Sequence, residues 1–154
     1  MNRSQLTTES IVKAATRGEY AIPEFQREFV WTRSQVMELA DSLARDYPVG
    51  SLLTWKSDTA IQRGDSNQAQ QKSWIIDGQQ RTTALCTIFG ERPHWWDYNR
   101  TGKWSDHVKK FDIQLDVSTD EPTFVARHRR ADFCGASVRE IVEVCFCSET
   151  TRIG

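Results

Sequence analysis

The residues with the clearest chemical potential are Asp77–Arg81, which read Asp-Gly-Gln-Gln-Arg. They follow an apolar run that ends at Ile76 and precede apolar residues at helical spacing, so the pattern predicts a strand, a glycine turn and a helix. A glycine in such a turn lets the backbone approach a ligand closely, and the free amides of a helix's first turn attract anions. The pattern is typical of phosphate binding, but an ordinary turn with Asp77 as the helix N-cap has the same local sequence.

Every polar residue type in this turn suits phosphoryl transfer. The arginine can neutralise a phosphate through two parallel hydrogen bonds, and the glutamines can orient a water or a leaving group. The aspartate can hold Mg²⁺ or position the attacking water. We therefore predict that Asp77, Gln79, Gln80 and Arg81 are catalytic and that Asp77 is also the metal ligand. We predict that Gly78 and Thr82 bind phosphate.

A second polar motif lies earlier in the chain, between Ile22 and Trp31. Here Gln26 and Arg27 are flanked by aromatic residues that would pin a loop, and a pinned loop can direct a side chain into a cleft. Such a loop would direct Arg27, with Gln26 beside it, into a cleft. The alternative is that the aromatic residues belong to the core and Arg27 only lies on the surface.

Two further groups of residues suit nucleic acid. The densest basic cluster, Arg127, Arg129 and Arg130, is predicted to contact DNA phosphate, although a solvated strand end explains it equally well. Aromatic residues beside Arg100 and Lys103 could stack on bases, but we expect most of them to pack the segment against the body of the domain. They are Trp95, Trp96, Tyr98 and Trp104.

The elements that must position these residues follow from periodicity and caps. The first predicted helix covers residues 8–17, with Thr8 as its cap, and the second runs from a capping box at Thr32 to Pro48. A third helix is predicted over residues 82–89, and a fourth begins at a capping box at Ser137 near the end of the sequence. Strands are predicted over 20–22, 51–55, 73–76, 111–117 and 123–127, those at 51–55 and 73–76 being buried. Residues 56–72 are predicted as an exposed loop and 91–108 as irregular. The sequence thus predicts an α/β (α+β) fold with a small mixed sheet and packed helices.

Composition excludes several classes of protein. The chain has 154 residues, 38% hydrophobic, and contains no apolar run of the ~20 residues that a membrane span needs. Its start has no secretory signal pattern, so we expect a cytoplasmic protein. With 20 basic and 21 acidic side chains, it cannot bind DNA through overall charge.

Three motifs in order carry a resemblance to a known family. They are the segments Tyr20–Trp31, Tyr47–Leu53 and Ile76–Leu85. The chain resembles the N-terminal domain of the GmrSD family, within the ParB/sulfiredoxin-like superfamily. The resemblance implies one domain over residues 1–154, with a core at 8–130 and a C-terminal helix at 136–148. Gln79 stands where sulfiredoxin has its reactive cysteine, and Cys86 lies two helical turns later, so sulfinic acid repair is not expected.

The resemblance also implies a function. Related proteins are type IV restriction enzymes and phage-defence proteins that act on modified DNA. The resemblance implies that their N-terminal domain binds and hydrolyses nucleoside triphosphates, or serves as a nuclease-like module, through the motif that corresponds to Asp77–Arg81. We therefore expect Mg²⁺ and a nucleoside triphosphate as ligands, and the resemblance places Gln26 and Arg27 on the loop that faces the motif and binds the nucleotide. Family members often carry a C-terminal His-Asn-His nuclease domain, which this short chain lacks, so we expect a fragment or truncated form. The alternative is a non-catalytic module that senses modified DNA or a nucleotide and needs that absent domain.

Overall fold

The computed structural model describes residues 6–56, 73–116, 123–126 and 135–137. The helices of the described residues are α1 (Thr8–Arg17), α2 (Arg33–Ala44), α3 (Gln79–Phe89), α4 (Tyr98–Thr101) and α5 (Trp104–Phe111). The strands are β1 (Tyr20–Ala21), β2 (Leu53–Lys56), β3 (Ser73–Asp77), β4 (Ile113–Asp116), β5 (Thr123–Ala126) and β6 (Gly135–Ser137). The predicted α/β class is confirmed.

The strands form two small sheets. In the first, β3 lies between β1, which runs parallel to it, and β2, which runs antiparallel. In the second, β4 lies between β5 and β6, and both pairs are antiparallel. The predicted pairing of residues 123–127 with the preceding strand is confirmed, with Ile113 opposite Ala126. The first sheet is mixed, as predicted, and its central strand leads into α3.

Helix α3 forms the centre of the core. It is buried on all sides from Thr82 to Ile88, so it lacks a polar face, and it packs against α1, α2 and α5. The apolar cluster around it consists of Val12, Ala15, Val36, Leu39, Ala40, Ala84, Leu85, Cys86, Ile88, Phe111 and Ile113. Because α3 is enclosed by three other helices, its first turn is held firmly at the end of β3.

Several helix ends follow the predicted signals, whereas α3 begins three residues before the predicted residue 82 and α2 ends at Ala44, before Pro48. The α2 capping box of Thr32 and Gln35 is confirmed, and so is the left-handed Gly18 at the end of α1, with φ 77°. The side chain that caps α1 belongs to Thr7, one residue before the predicted Thr8, and it accepts a hydrogen bond from the Ser10 amide.

Two predictions of local structure were wrong. The strand expected at 51–55 begins only at Leu53, and it is an edge strand whose Leu53 and Trp55 are 40% and 57% exposed rather than buried. The segment expected to be irregular contains α5, and Phe111, expected in a strand, is the last residue of that helix.

Some predictions fall on residues outside the described ranges. These are the exposed loop at 57–72 and nearly all of the helix expected at 136–148. Its expected first residues, including Ser137, lie in β6. Among the described helices, none has the length and apolar character that crossing a bilayer requires.

Candidate nucleotide-binding site

The turn after β3 leaves the N-terminus of α3 open. Gly78 is the N-cap, with φ 98° and ψ 7°, and no side chain caps the helix. The interpretation of Asp77 as the N-cap was therefore wrong. The first hydrogen bond of the helix joins the Thr82 amide to the Gly78 carbonyl at 2.9 Å, so the amides of Gln79–Arg81 precede the helical ladder. Within the described part of the chain these three amides have no acceptor. They are therefore available to an anion.

Glycine at position 78 is required by conformation and by space. Its positive φ is unfavourable for residues with a side chain, and a Cβ atom there would lie 2.8 Å from Leu52 Cδ1. The space beside Gly78 is occupied by the Leu52 side chain, from the segment before β2, and the predicted close approach of a ligand to this backbone stays a prediction.

The two glutamines of the turn and Gln26 form hydrogen bonds with backbone groups. Gln79 Nε2 donates to the Arg27 carbonyl at 2.9 Å. Gln80 Nε2 donates to the Glu28 carbonyl at 3.0 Å, and Gln80 Oε1 accepts from the Val30 amide at 2.9 Å. In the opposite direction, Gln26 Nε2 donates to the Ile75 carbonyl at 2.8 Å and to the Ile76 carbonyl at 3.1 Å. The two predicted motifs are therefore in direct contact.

Arg81 is directed toward a different segment, residues 49–52. Its Nη1 atom donates to the carbonyls of Val49 at 3.1 Å and Ser51 at 2.8 Å. Gly50, between them, has φ 88°, and a Cβ atom there would lie 2.6 Å from Arg81 Nη1. Arg81 Nη2 is 3.8 Å from Asp77 Oδ2, and the Asp77 side chain is 71% exposed. Asp77 is therefore accessible to a ligand, whereas Arg81 is partly committed to the fold.

A cleft of about 250 Å³ lies beside the first turns of α3. Arg27, Glu28 and Phe29 line one wall, and Gln79 and Thr83 line the side formed by α3. The opposite wall comprises Trp95, Trp96, Asp97, Arg100 and Thr101. Gln26, Arg27 and Gln79 are thus the predicted site residues that meet in the cleft. Asp77, Gly78, Gln80, Arg81 and Thr82 are not among the described residues that line it.

The cleft has mixed electrostatic character. It contains two cations, Arg27 and Arg100, and the carboxylates of Glu24, Glu28 and Asp97. Arg100 Nη2 lies 3.4 Å from Glu28 Oε1, and both side chains are more than half exposed, so this ion pair contributes little to stability. Arg27 has no carboxylate within ion-pair distance among the described residues, so its charge is available in the cleft.

Behind the cleft, His107 lies in an aromatic cluster. Its ring stacks on Trp104 at 4.9 Å and contacts Phe29, Trp96 and Phe111. Burial, with a smaller contribution from the Lys110 charge, lowers the pKa of His107 to about 4, so the ring is neutral at pH 7. Thr87 Oγ1 lies 3.0 Å from His107 Nε2. The neutral ring therefore supports the cleft wall as a packing group.

The aromatic residues of the segment after α3 mainly pack, as expected. Trp96 is 9% exposed, and Trp95 and Trp104 pack against the core, while Tyr98 is 56% exposed. The sequence placed Arg100 among aromatic residues that could stack on bases, but it did not predict that Arg100 and Asp97 line a cleft. The signal was the run of aromatic residues around Arg100, which marks a segment anchored beside a polar surface. The predicted DNA-contacting residues Arg127, Arg129 and Arg130 lie outside the described ranges.

Cys86 is fully buried in α3, and burial raises the pKa of its thiol to about 12. Such a thiol is neutral and inaccessible, so it cannot replace the reactive cysteine of sulfiredoxin.

Comparisons with known proteins agree with the resemblance. The family model described as "GmrSD restriction endonuclease, N-terminal domain" matches residues 8–140. An uncharacterized protein of Methanocaldococcus jannaschii is 35% identical over 88 residues, which cover 49% of this chain and 15% of that protein. The chain thus corresponds to a small part of this relative. No solved structure matches.

Proposed function

Since the chain belongs to the family of GmrSD restriction endonuclease N-terminal domains, we propose that it binds a nucleoside triphosphate at the N-terminus of α3 and hydrolyses it. The observation that carries this proposal is the open first turn of α3, whose Gln79–Arg81 amides precede the helical ladder and lack a side-chain cap. Amides in this arrangement bind phosphate oxygens and are assisted by the helix dipole.

The neighbouring side chains suit a polyphosphate. Arg27 lines the cleft together with Gln79, and its guanidinium has no carboxylate partner among the described residues, while the Asp77 side chain is 71% exposed. In this proposal Arg27 neutralises phosphate charge, and Asp77 positions the attacking water. The partly exposed Arg81 can offer its Nη2 atom to the same phosphates while Nη1 holds residues 49–52.

Mg²⁺ fits the turn as a partner of the nucleotide. Among the described residues no three His, Cys, Asp or Glu side chains are grouped as a metal site, so Asp77 would be one protein ligand. Mg²⁺ usually keeps several waters and binds one or two carboxylates together with substrate phosphates, which matches this donor set. When bound, Mg²⁺ would neutralise the charge that develops on the phosphate groups.

The proposal is tested by titrating ATP, GTP, CTP and UTP into the protein in a calorimeter with and without Mg²⁺, followed by phosphate-release assays. We expect one of the nucleotides to bind and release phosphate. Asp77→Asn is expected to reduce phosphate release about 100-fold, the range of one positioned catalytic group, while binding persists. Asp41→Asn, at an exposed helical carboxylate paired with Arg45, is the matched control and should leave both unchanged. Equal release by Asp77→Asn and the parent would contradict the catalytic assignment.

A second candidate function is supported by the aromatic wall of the cleft. Phe29 and Trp95 beside Arg27 and Arg100 combine stacking surfaces with cations, which suits an exposed or flipped base. In this alternative the domain senses modified DNA and needs a His-Asn-His nuclease domain for cleavage. DNA binding without nucleotide turnover, weakened by charge reversal at Arg129 and Arg130, would support it over the first proposal.

A further inference from the structure

Residues 23–31 are attached to β3 and α3 through glutamine side chains. The segment follows the two-residue strand β1. Its backbone forms hydrogen bonds with the side chains of Gln79 and Gln80, whereas the backbone of a longer strand would form them with a neighbouring strand. Its own Gln26 amide continues the pairing of β1 along β3, by donating to the carbonyls of Ile75 and Ile76. The shape of this cleft wall therefore depends on amide groups.

Gln80 makes the most complete of these contacts. Its acceptor receives the Val30 amide at 2.9 Å, and its donor reaches the Glu28 carbonyl at 3.0 Å. A carboxamide presents a donor and an acceptor side by side, so it can pair with a backbone N–H and C=O as a neighbouring strand does. With both of its polar atoms engaged, Gln80 faces the 23–31 backbone, and it is not among the residues lining the cleft.

The residues that Gln80 holds are next to the ones that form the cleft. Arg27, Glu28 and Phe29 all line it, and Phe29 also contacts His107 and Phe111. A shift of the backbone at Glu28 would therefore displace the guanidinium of Arg27, because the two residues share a peptide bond. A catalytic or binding side chain displaced by ~1 Å can lose much of its effect.

We propose that Gln80 is a positioning residue, which holds the backbone of residues 28–30 so that Arg27 is directed into the cleft. This role differs from the water-orienting role that the sequence suggests for Gln80. The effect of Gln80 on nucleotide affinity rests on the proposed function, whereas its effect on the 23–31 backbone does not.

The substitution Gln80→Glu tests this role with little change of shape. It keeps an acceptor for the Val30 amide and replaces the donor with an oxygen that repels the Glu28 carbonyl. Gln35→Glu is the matched control, because Gln35 uses its Oε1 atom to accept from Thr32 and its amide nitrogen has no acceptor among the described residues. Gln80→Ala serves as a second variant that removes both contacts without adding charge.

The first readout is amide hydrogen exchange. We expect exchange in residues 27–31 to become about tenfold faster in Gln80→Glu and Gln80→Ala, the effect of losing a hydrogen bond, while exchange in α2 stays as in the parent. Gln35→Glu should leave residues 27–31 unchanged. Parent-like exchange there in both Gln80 variants would overturn the proposal.

The second readout separates positioning from direct catalysis. A positioning role predicts that the nucleotide Kd of Gln80→Glu rises about tenfold, while phosphate release at saturating nucleotide falls less than about threefold. A parent-like Kd with a large fall in release would overturn the proposal in favour of a water-orienting role. If the parent binds no nucleotide, the proposed function fails, and hydrogen exchange still decides the role of Gln80.

Discussion

Residues 23–31 and residues 49–52 both flank the first turn of α3, but they are held by different chemistry. The 23–31 segment is held by the neutral amides of Gln79 and Gln80, and its Arg27 lines the cleft. The 49–52 segment is held by the charged Arg81, which donates to two of its carbonyls. Neutral amides fix the first segment without using a charge, so Arg27 remains available to a ligand in the cleft. In the second segment the arginine itself is part of the support.

The largest effect is expected at the segment held by charge. In Gly50→Ala the positive φ costs about 1–2 kcal/mol, and the new Cβ displaces Arg81 from its charged hydrogen bonds, which contribute about 1.5–3 kcal/mol. We therefore expect the free energy of unfolding, measured in urea, to fall by about 2.5–5 kcal/mol. Gly18→Ala, also at a left-handed glycine and beside the His94 ring, is the control and should cost about 1–2 kcal/mol.

A double-mutant cycle makes this test specific. In the Arg81→Ala background, Gly50→Ala should cost only the conformational part, because the displaced guanidinium is absent. If the losses of unfolding free energy from Gly50→Ala and Arg81→Ala were additive, the cost of Gly50→Ala would not come from displacing Arg81.

A smaller effect is expected at the 23–31 segment on acidification. Because the pKa of His107 is lowered to about 4 in the folded protein, unfolding takes up a proton between about pH 6.5 and pH 4. The contribution of the neutral ring is complete above about pH 6.5, falls as the pH decreases and levels off below pH 4. Since the ring is partly solvated, we expect a loss of roughly 1–2 kcal/mol. Since His107 contacts Phe29, the amides of residues 23–31 should lose their protection from hydrogen exchange at a higher pH than the amides of residues 49–52.

The matched variant for this prediction is His107→Phe, which keeps an aromatic ring and removes the titration. Unfolding measured from pH 7 to pH 4.5 should lose this part of its pH dependence. An unchanged pH dependence in the variant would contradict the assignment to His107.

The smallest effect on stability is expected at the ion pair that joins two parts of the cleft lining. The ion pair of Arg100 with Glu28 is exposed, so Arg100→Ala should change the free energy of unfolding by less than about 0.5 kcal/mol. Thermal unfolding of this variant and of Arg17→Ala, at another exposed pair, should give similar midpoints. A loss above about 1 kcal/mol would mean that charge also supports this side of the cleft.

Much of this arrangement could be predicted from local sequence signals. The α2 capping box, the left-handed Gly18 and the strand-turn-helix at Asp77–Arg81 depend on neighbouring residues, so the sequence alone contains them. The contacts of Gln80 with Glu28 and Val30 and of Arg81 with Val49 and Ser51 could not be predicted, because they join residues far apart in sequence. For the same reason the sequence suggested catalytic roles for these side chains, whereas the fold uses part of each as support. Helix α5 was missed although Trp104, Val108 and Phe111 have helical spacing, because the aromatic residues around them favoured an irregular segment.

The central claim is that a nucleotide phosphate binds the open first turn of α3 beside Arg27. Amide hydrogen exchange with and without a saturating nucleoside triphosphate and Mg²⁺ tests it directly, with Arg27→Ala and Arg17→Ala compared at equal ligand concentration. We predict that the amides of Gln79–Arg81 are protected about tenfold or more in the parent and in Arg17→Ala, as charge-assisted hydrogen bonds would produce, and markedly less in Arg27→Ala. Binding without protection of these amides, or equal protection in all three proteins, would contradict the account.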